Sequence, residues 1–231
     1  TYYFSHYRRR SCIERLDGIV DENHPERGLM DQFIHKLTEL LKQPLPGWDA
    51  QRHLMPEGRE LEAMGDKLHP AAVLISLYNQ GDEWVFPLIR RTVDGFAHSG
   101  QIALPGGRRD GTESDIETAL REAHEEVNIL PDQVEIIGLT SVLPIPVSNH
   151  LVQPVVGFTR TVPDFIPEAK EVADIFSISI KMLCEQEIQY EQRRYKNRYW
   201  EIPFFAIDGY KVWGATAMIL SEFRTIVTQL N

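Results

Sequence analysis

The sequence predicts an α/β fold in which a mixed β-sheet is sandwiched between helices (α/β/α), with an extra helix at the N-terminus. Two observations support this class. Apolar runs of strand length are interspersed with a few stretches that have helical periodicity. These elements do not alternate regularly as one strand and one helix, so a mixed sheet is favoured over a doubly wound one.

The N-terminal helix is predicted at residues 30–42. Its apolar residues recur at helical spacing: Met30, Phe33, Ile34, Leu37, Leu40 and Leu41. The prolines and glycine of "KQPLPGW" end it. Residues 1–29 show no sustained periodicity, and Met30 resembles a natural chain start. We therefore predict a poorly ordered N-terminal extension over residues 1–29 and a single domain over residues 30–231.

Strands account for most of the middle of the chain. Apolar runs at 71–78 and 83–91 flank the turn "NQGD" and predict a hairpin. The glycine-punctuated segment 93–107 predicts a loop with a short strand. Two further strands are expected at 134–143 and 151–158.

The C-terminal part predicts one hairpin and one helix. The hairpin turns on Asp208-Gly209, a dipeptide typical of tight two-residue turns. The helix covers residues 213–230, and we expect it to bury five apolar side chains: Met218, Ile219, Phe223, Ile226 and Val227.

Composition limits the classes of partner. The chain has 231 residues, a net charge of −10 and two cysteines, Cys12 and Cys184. Negative charge argues against a nucleic-acid or membrane-surface partner, since both favour basic proteins. Two cysteines are too few for a disulfide framework, so we predict a cytoplasmic location. A phosphorylated small molecule remains compatible if a cation neutralises the contact.

The stretch "GGRRDGTESDIETALREAHEEVNIL", residues 106–130, concentrates seven carboxylates. Ser114 and Glu117 form a capping-box pattern, which predicts that a helix begins here. At about 100° per residue, one apolar stripe forms along that helix. Its members are Ile116, Ala119, Leu120, Ala123 and Val127.

Three glutamates of this helix can meet one cation. Glu122 and Glu126 lie about 40° apart on the flank of the apolar stripe, and Glu125 lies further round. Carboxylates spaced in this way suit a hard divalent ion such as Mg²⁺. The alternative is a solvated helix face with surplus glutamates, and helix geometry alone leaves both interpretations open. The "LPGG" turn before the helix favours the cation, because glycine lets the backbone approach a ligand.

Residues 107–129 resemble the Nudix box, which reads G, five residues, E, seven residues, R-E-U-x-E-E-x-G-U, with U aliphatic. Gly107 and Glu113 match the first part, and "REAHEEVNI" matches the second, with Arg121 at its start. Asn128 replaces the family glycine. Asparagine tolerates left-handed backbone well, so we expect the loop–helix–loop to persist.

The resemblance implies roles for the matching residues. Glu122 and Glu126 are expected to bind a divalent metal, usually Mg²⁺ with Mn²⁺ as a substitute, and Glu125 to act as a further ligand or proton acceptor. Glu113 is expected to hold Arg121. The resemblance leaves open which glutamate is the general base, and the sequence outside the box offers only Glu171 and Glu187 as further acidic ligands.

The segment 88–107, "LIRRTVDGFAHSGQIALPGG", is similar to a motif that precedes the box in coenzyme A pyrophosphatases. Arg91 and Thr92 fit its basic–hydroxyl pair. Phe96 replaces an expected arginine, for which His98, Arg90 or Arg108 can compensate, and Leu104 replaces a phenylalanine. The predicted substrate-binding residues are Arg90, Arg91, His98, Gln101, Gly106 and Gly107. Arginines at a solvated strand end and polar loop residues are the alternative interpretation.

The resemblance therefore implies Mg²⁺-dependent hydrolysis of the diphosphate in coenzyme A or acyl-coenzyme A. Alternatives are a Nudix enzyme acting on ADP-ribose or another nucleoside diphosphate derivative, and a non-catalytic nucleotide-binding module. The expected partner is a nucleotide-type small molecule, bound by a monomer or homodimer.

Overall fold

The structure, a computed structural model, describes residues 25–57, 68–81, 83–93, 100–195 and 198–230. Its α-helices are α1 (Pro25–Leu41), α2 (Trp48–Gln51), α3 (Asp115–Val127), α4 (Ile180–Glu185) and α5 (Gly214–Val227). Its first strands are β1 (His69–Gln80), β2 (Glu83–Arg91), β3 (Ile102–Ala103), β4 (Gly106–Arg108), β5 (Val134–Leu139) and β6 (Leu143–Ile145). The remaining strands are β7 (His150–Thr159), β8 (Val172–Ser179), β9 (Ile188–Tyr195), β10 (Arg198–Ile207) and β11 (Tyr210–Trp213).

The main sheet is mixed, as the sequence predicts. Its order is β3-β2-β1-β7-β5, with β4 on β1, β6 on β7 and β8 on β2. β1 runs parallel to β7 and antiparallel to β2 and β4. A second, antiparallel sheet has the order β11-β10-β9.

Helices cover both faces of the main sheet. Side chains of β1 alternate between two apolar clusters, as the two-residue period of a strand requires. Ala71 and Ile75 belong to the cluster that includes α1 and α5, whereas Ala72 and Leu74 belong to the cluster that includes α3. The α/β/α arrangement is therefore confirmed. Of α1, α3 and α5, only α3 packs on the face of the sheet that carries Ala72 and Leu74.

The N-terminal helix begins earlier than predicted. It already includes Pro25, so the predicted start at Met30 falls inside α1. Residues 1–24 of the predicted extension lie outside the described part of the chain.

The predicted strand at 134–143 is interrupted. β5 ends at Leu139, and the backbone N–H of Ser141 donates to the carboxylate of Glu222 instead of joining the sheet. Glu222 is fully buried in α5 and also accepts from the backbone N–H of Gly47 and from Gln51 Nε2. A charge on α5 therefore holds two loops, which no local pattern predicts.

The C-terminal hairpin and helix agree with the prediction. Asp208 and Gly209 have φ angles of 48° and 78°, as a two-residue hairpin turn requires. The five side chains predicted to be buried in α5 are all buried. In the described ranges, the structure contains no helix long and apolar enough to cross a membrane.

α3 has the two ends that its sequence predicts. Ser114 Oγ accepts from the N–H of Glu117, whose carboxylate accepts from the N–H of Ser114, which completes the capping box. At the other end, Asn128 is left-handed, with φ 62° and ψ 31°. Its Nδ2 donates to the carbonyl oxygen of Asp164 at 2.9 Å. The substitution of glycine by asparagine is thus accommodated with one added contact.

The left-handed conformation of Asn128 predicts the order of stability of its variants. Asn128→Ala should lower the free energy of unfolding by about 1–2 kcal/mol, since a β-carbon is disfavoured in this region. Asn128→Gly should cost less, because glycine carries no such penalty. Urea unfolding of both variants measures the difference. An alanine variant as stable as the glycine variant would contradict the assigned conformation.

Candidate active site

Two consecutive glycines bring β4 against the carboxylates of α3. Gly106 has a φ of 152°, and a Cβ there would collide with the backbone of Ala72 and Val73. A Cβ at Gly107 would collide with the carboxylate of Glu122. Gly106 therefore needs glycine for close packing, as the "LPGG" turn suggests, whereas a side chain at residue 107 would displace the Glu122 carboxylate from its observed position. Their structural place is established, and substrate binding by them stays a prediction.

Glu126 is the buried member of the acidic cluster, with a side chain only 2% exposed. Its Oε2 accepts from the N–H of Gly106 at 2.9 Å, and its Oε1 lies 3.2 Å from Nη1 of Arg91. Burial raises the pKa of Glu126 to about 7, against the opposing effects of the Gly106 N–H and Arg91. The carboxylate is therefore held in place but lacks the solvation of an ordinary glutamate.

The buried face of α3 is rotated from its predicted position. Ile116 is 36% exposed, whereas Thr118 and Glu126 are buried together with Ala119 and Ala123. The prediction that Ile116 lies in the apolar stripe was therefore wrong, and Glu126 lies within the covered face instead of on its flank. The cause is β4, which covers the side of the helix that carries the glutamates.

Arg121 contacts three carboxylates at once. Its Nε lies 2.6 Å from Glu113 Oε1, which is the pair expected from the resemblance. Its Nη1 also donates to Glu122 Oε1 and Glu125 Oε2, each at 2.9 Å. Its Nη2 donates to the carbonyl oxygen of Arg108 at 3.0 Å. One guanidinium therefore joins the loop before α3 to the glutamates on it.

Contacts and burial shift the pKa values of Glu113 and Glu122 in opposite directions. The hydrogen bond from Arg121, followed by the backbone N–H of Asp110, lowers the pKa of Glu113 to about 2. Burial raises the pKa of Glu122, although Arg121 opposes the shift. Glu113 is thus a fixed anion, whereas Glu122 and Glu126 are carboxylates whose charge is incompletely compensated.

The chemistry of the donors fits a hard divalent cation. Carboxylate oxygens are the ligands that Mg²⁺ prefers, and a cation would compensate the charge of Glu122 and Glu126. Across the described residues, however, no three His, Cys, Asp or Glu side chains are already gathered as a metal site. Nη1 of Arg121 instead contacts one oxygen of Glu122 and one of Glu125. The ligand set Glu122, Glu125 and Glu126 stays a prediction.

Of the two further acidic candidates, Glu171 lies beside the cluster. Its Oε2 is 3.9 Å from Nη2 of Arg91, and its negative charge contributes to the raised pKa of Glu122 and Glu126. Glu187 lies between α4 and β9 and is exposed. Proximity therefore favours Glu171 as the acidic group outside the box.

The predicted substrate-binding residues divide between two places. Arg91 contacts Glu126, and its backbone N–H donates to the carbonyl oxygen of Gln101 at 3.0 Å. Arg90 instead lies 3.9 Å from Asp174, away from the glutamates, because neighbouring strand residues face opposite sides. His98, like Phe96, lies outside the described residues.

Two contacts of the site were not foreseen. The hydroxyl of Thr118, buried on α3, donates to Glu113 Oε2 at 3.0 Å and so helps to orient the partner of Arg121. Arg109 contacts Asp115, which the sequence explained by helix capping alone. A polar residue on the buried side of an amphipathic helix is the signal that could have indicated Thr118.

The raised pKa of Glu126 predicts how its variant responds to pH in metal-free protein. The folded state retains a proton on Glu126 up to about pH 7, whereas an unfolded glutamate, whose ordinary pKa is 4.5, loses it well below that pH. Stability conferred by Glu126 therefore falls as pH rises through this window. Relative to wild type, Glu126→Gln should gain up to about 3 kcal/mol in unfolding free energy between pH 5 and pH 8.

Urea unfolding in a chelator at both pH values measures this change. Glu187→Gln is the matched control, because that side chain is exposed and its variant should show no such gain. An equal pH response of the Glu126 and Glu187 variants would refute the buried carboxylate.

Comparison with known proteins places these features in a family. Residues 67–200 match the NUDIX domain family. The chain is 37% identical over 142 residues to the uncharacterized Nudix hydrolase NudL of Pectobacterium atrosepticum, covering 58% of this chain and 71% of that protein. NudL of Yersinia enterocolitica is 30% identical over 214 residues, covering 88% of this chain and all of the relative.

A plant relative and a solved structure agree with this assignment. Nudix hydrolase 15, mitochondrial, of Arabidopsis thaliana is 34% identical over 175 residues, which cover 70% of this chain and 60% of that protein. The crystal structure of RenU, a Nudix hydrolase from M. smegmatis, has the same fold with a TM-score of 0.50 and 17% identity, covering 77% of this chain and 95% of RenU. The chain therefore belongs to the Nudix family and is a hydrolase that acts on diphosphate bonds.

Proposed function

We propose that this Nudix hydrolase cleaves the diphosphate of coenzyme A or acyl-coenzyme A with Mg²⁺, and with Mn²⁺ as a substitute. The products are 3′-phosphoadenosine 5′-phosphate and 4′-phosphopantetheine or its acyl form. The observation that carries the proposal is the position of Arg91. It belongs to the segment that is similar to the coenzyme A pyrophosphatase motif, and its guanidinium lies against Glu126.

In this proposal Glu122 and Glu126 hold the metal, and Glu125 is a further ligand or proton acceptor. When bound, Mg²⁺ supplies a Lewis acid that neutralises diphosphate charge and lowers the pKa of a water molecule. Arg91 binds a phosphate oxygen, for which a guanidinium is geometrically suited. The glycines of β4 let backbone N–H groups come close to the substrate.

Arg121 and Glu113 are positioning residues in this scheme. Glu122 and Glu125 would hold the cation with oxygens that Nη1 of Arg121 now contacts. Nε and Nη2 of Arg121 make two bonds to Glu113, so the guanidinium would stay anchored without its Nη1 contacts.

Two alternative functions can be compared with the same arrangement of residues. Hydrolysis of ADP-ribose or another nucleoside diphosphate derivative needs the metal site but no contact for a phosphate outside the diphosphate. A binding module without catalysis needs no set of three glutamates around one arginine, and the observed cluster argues against it. The cytoplasmic location and the monomeric or dimeric state stay predictions.

Removal of one metal-binding carboxylate should abolish most activity without unfolding the protein. Glu122→Gln or Glu126→Gln should lower kcat with Mg²⁺ by at least about 100-fold. Glu113→Gln should lower it by about 10- to 100-fold, as expected for a residue that orients another. Steady-state kinetics with circular dichroism measures both. Glu187→Gln is the control that should retain activity, and near-normal turnover of Glu126→Gln would exclude the metal assignment.

The substrate is tested by comparing turnover within one panel. Coenzyme A, acetyl-coenzyme A, ADP-ribose, NADH and diadenosine polyphosphates are incubated with the protein and Mg²⁺, and the products are identified by mass. The highest kcat/KM is expected for coenzyme A or its acetyl form. A preference for ADP-ribose would refute the coenzyme A proposal and leave the diphosphate chemistry in place.

A further inference from the structure

A cavity of about 310 Å³ lies next to the end of the strand that carries Arg91. It is lined by residues of the main sheet edge and of the second sheet: Gly100, Gln101, Ile102, Arg193, Tyr210, Lys211 and Trp213. Of these residues, only Gln101 was predicted to bind substrate. Its lining combines two cationic side chains with two aromatic rings, a combination that suits a planar, negatively charged ligand.

The cations of this cavity outnumber their acidic partner. Lys211 Nζ lies 2.7 Å from Glu191 Oε2, and Arg193 Nε lies 3.6 Å from the same oxygen. Both cationic side chains are about half exposed, at 50% for Lys211 and 45% for Arg193. One carboxylate between two cations leaves a net positive charge, in a chain whose net charge is −10. The local positive charge is therefore opposite in sign to the net charge of the chain, and it favours binding of an anion.

The aromatic lining is held in place by neighbours. The guanidinium of Arg193 lies 4.7 Å from the ring centroid of Trp213. Tyr210 stacks on Phe176 with centroids 4.4 Å apart, and its hydroxyl donates to Asp174 Oδ2 at 2.8 Å. Rings and a guanidinium plane held in this way form a preorganised surface for stacking a base.

The cavity connects to the candidate active site through Gln101. This residue lines the cavity, and its carbonyl oxygen accepts from the N–H of Arg91, whose side chain reaches Glu126. Five residues further along the chain, the N–H of Gly106 holds the other oxygen of Glu126. An extended chain of that length spans about 17 Å at most. One nucleotide-type substrate can therefore engage both places.

We infer that this cavity is the subsite for a phosphorylated adenosine, with Lys211 and Arg193 binding a phosphate outside the diphosphate and Trp213 and Tyr210 contacting the base. In coenzyme A this group is the 3′-phosphoadenosine end. The uncharged pantetheine arm has no need of two cations, so it leaves the site in another direction. The inference rests on the proposed function for its link to catalysis, but its binding chemistry can be tested alone.

Calorimetric binding to the full chain in a chelator tests the cavity without catalysis. 3′-Phosphoadenosine 5′-phosphate should bind about tenfold more tightly than adenosine 5′-phosphate, because only the former carries the extra phosphate. Lys211→Gln and Arg193→Gln should each reduce this ratio to about threefold or less. Arg194→Gln is the matched control, since Arg194 is the exposed neighbour of Arg193 on β9 and does not line the cavity.

Kinetics provides the second measurement. Wild type should have a lower KM for coenzyme A than for dephospho-coenzyme A. Lys211→Gln should remove that difference, whereas the control Arg194→Gln should keep it. Absence of binding to wild type, or variants that keep the wild-type ratio, would overturn the subsite even if coenzyme A is hydrolysed. Variant-sensitive binding without coenzyme A hydrolysis would support the subsite and refute the proposed function instead.

Discussion

Close packing of α3 on β4 is the constraint on which the candidate site depends. It depends on the glycine at residue 106, where a β-carbon would collide with the backbone of β1, and the glycine at residue 107 leaves room for the Glu122 carboxylate. Because β4 and α3 lie close together, the N–H of Gly106 reaches the carboxylate of Glu126, and this carboxylate is buried. Burial then raises its pKa to about 7. Backbone geometry thus contributes to the raised pKa of this one carboxylate.

Arginine side chains compensate part of the negative charge of the cluster. Arg121 lies among Glu113, Glu122 and Glu125, and Arg91 lies between Glu126 and Glu171. The two differ in their anchoring. Arg121 makes two bonds to Glu113, whereas Arg91 lies 3.2 Å from Glu126 and 3.9 Å from Glu171. In the proposed function, the first positions the carboxylates and the second binds a substrate phosphate.

The parts of the site that depend on neighbours along the chain could be predicted. The capping box follows from a local pattern, whereas the left-handed Asn128 and the pair Glu113–Arg121 follow from the resemblance to the Nudix box, and the structure contains each. The rotation of the buried face was not predictable, because periodicity gives angles between side chains but not the element that covers them. Burial of Glu126 depends on β4, which packs there only in the folded sheet.

The same reasoning explains the missed elements. β9 has the sequence "IQYEQRRY", in which polar side chains dominate, so its strand state comes from pairing with β10 and not from an apolar pattern. The cavity beside Gln101 was equally hidden, since it joins residues about 90 to 110 positions apart. Such sites become visible only when the second sheet is placed against the edge of the first.

The central claim is that the glutamates of α3 bind a divalent cation. Mn²⁺ binding, followed by electron paramagnetic resonance on the full chain without substrate, tests it most directly. Bound Mn²⁺ should be displaced by Mg²⁺, and Glu122→Gln and Glu126→Gln should each weaken its binding by at least about tenfold. Equal Mn²⁺ affinity in wild type and both variants would contradict the account.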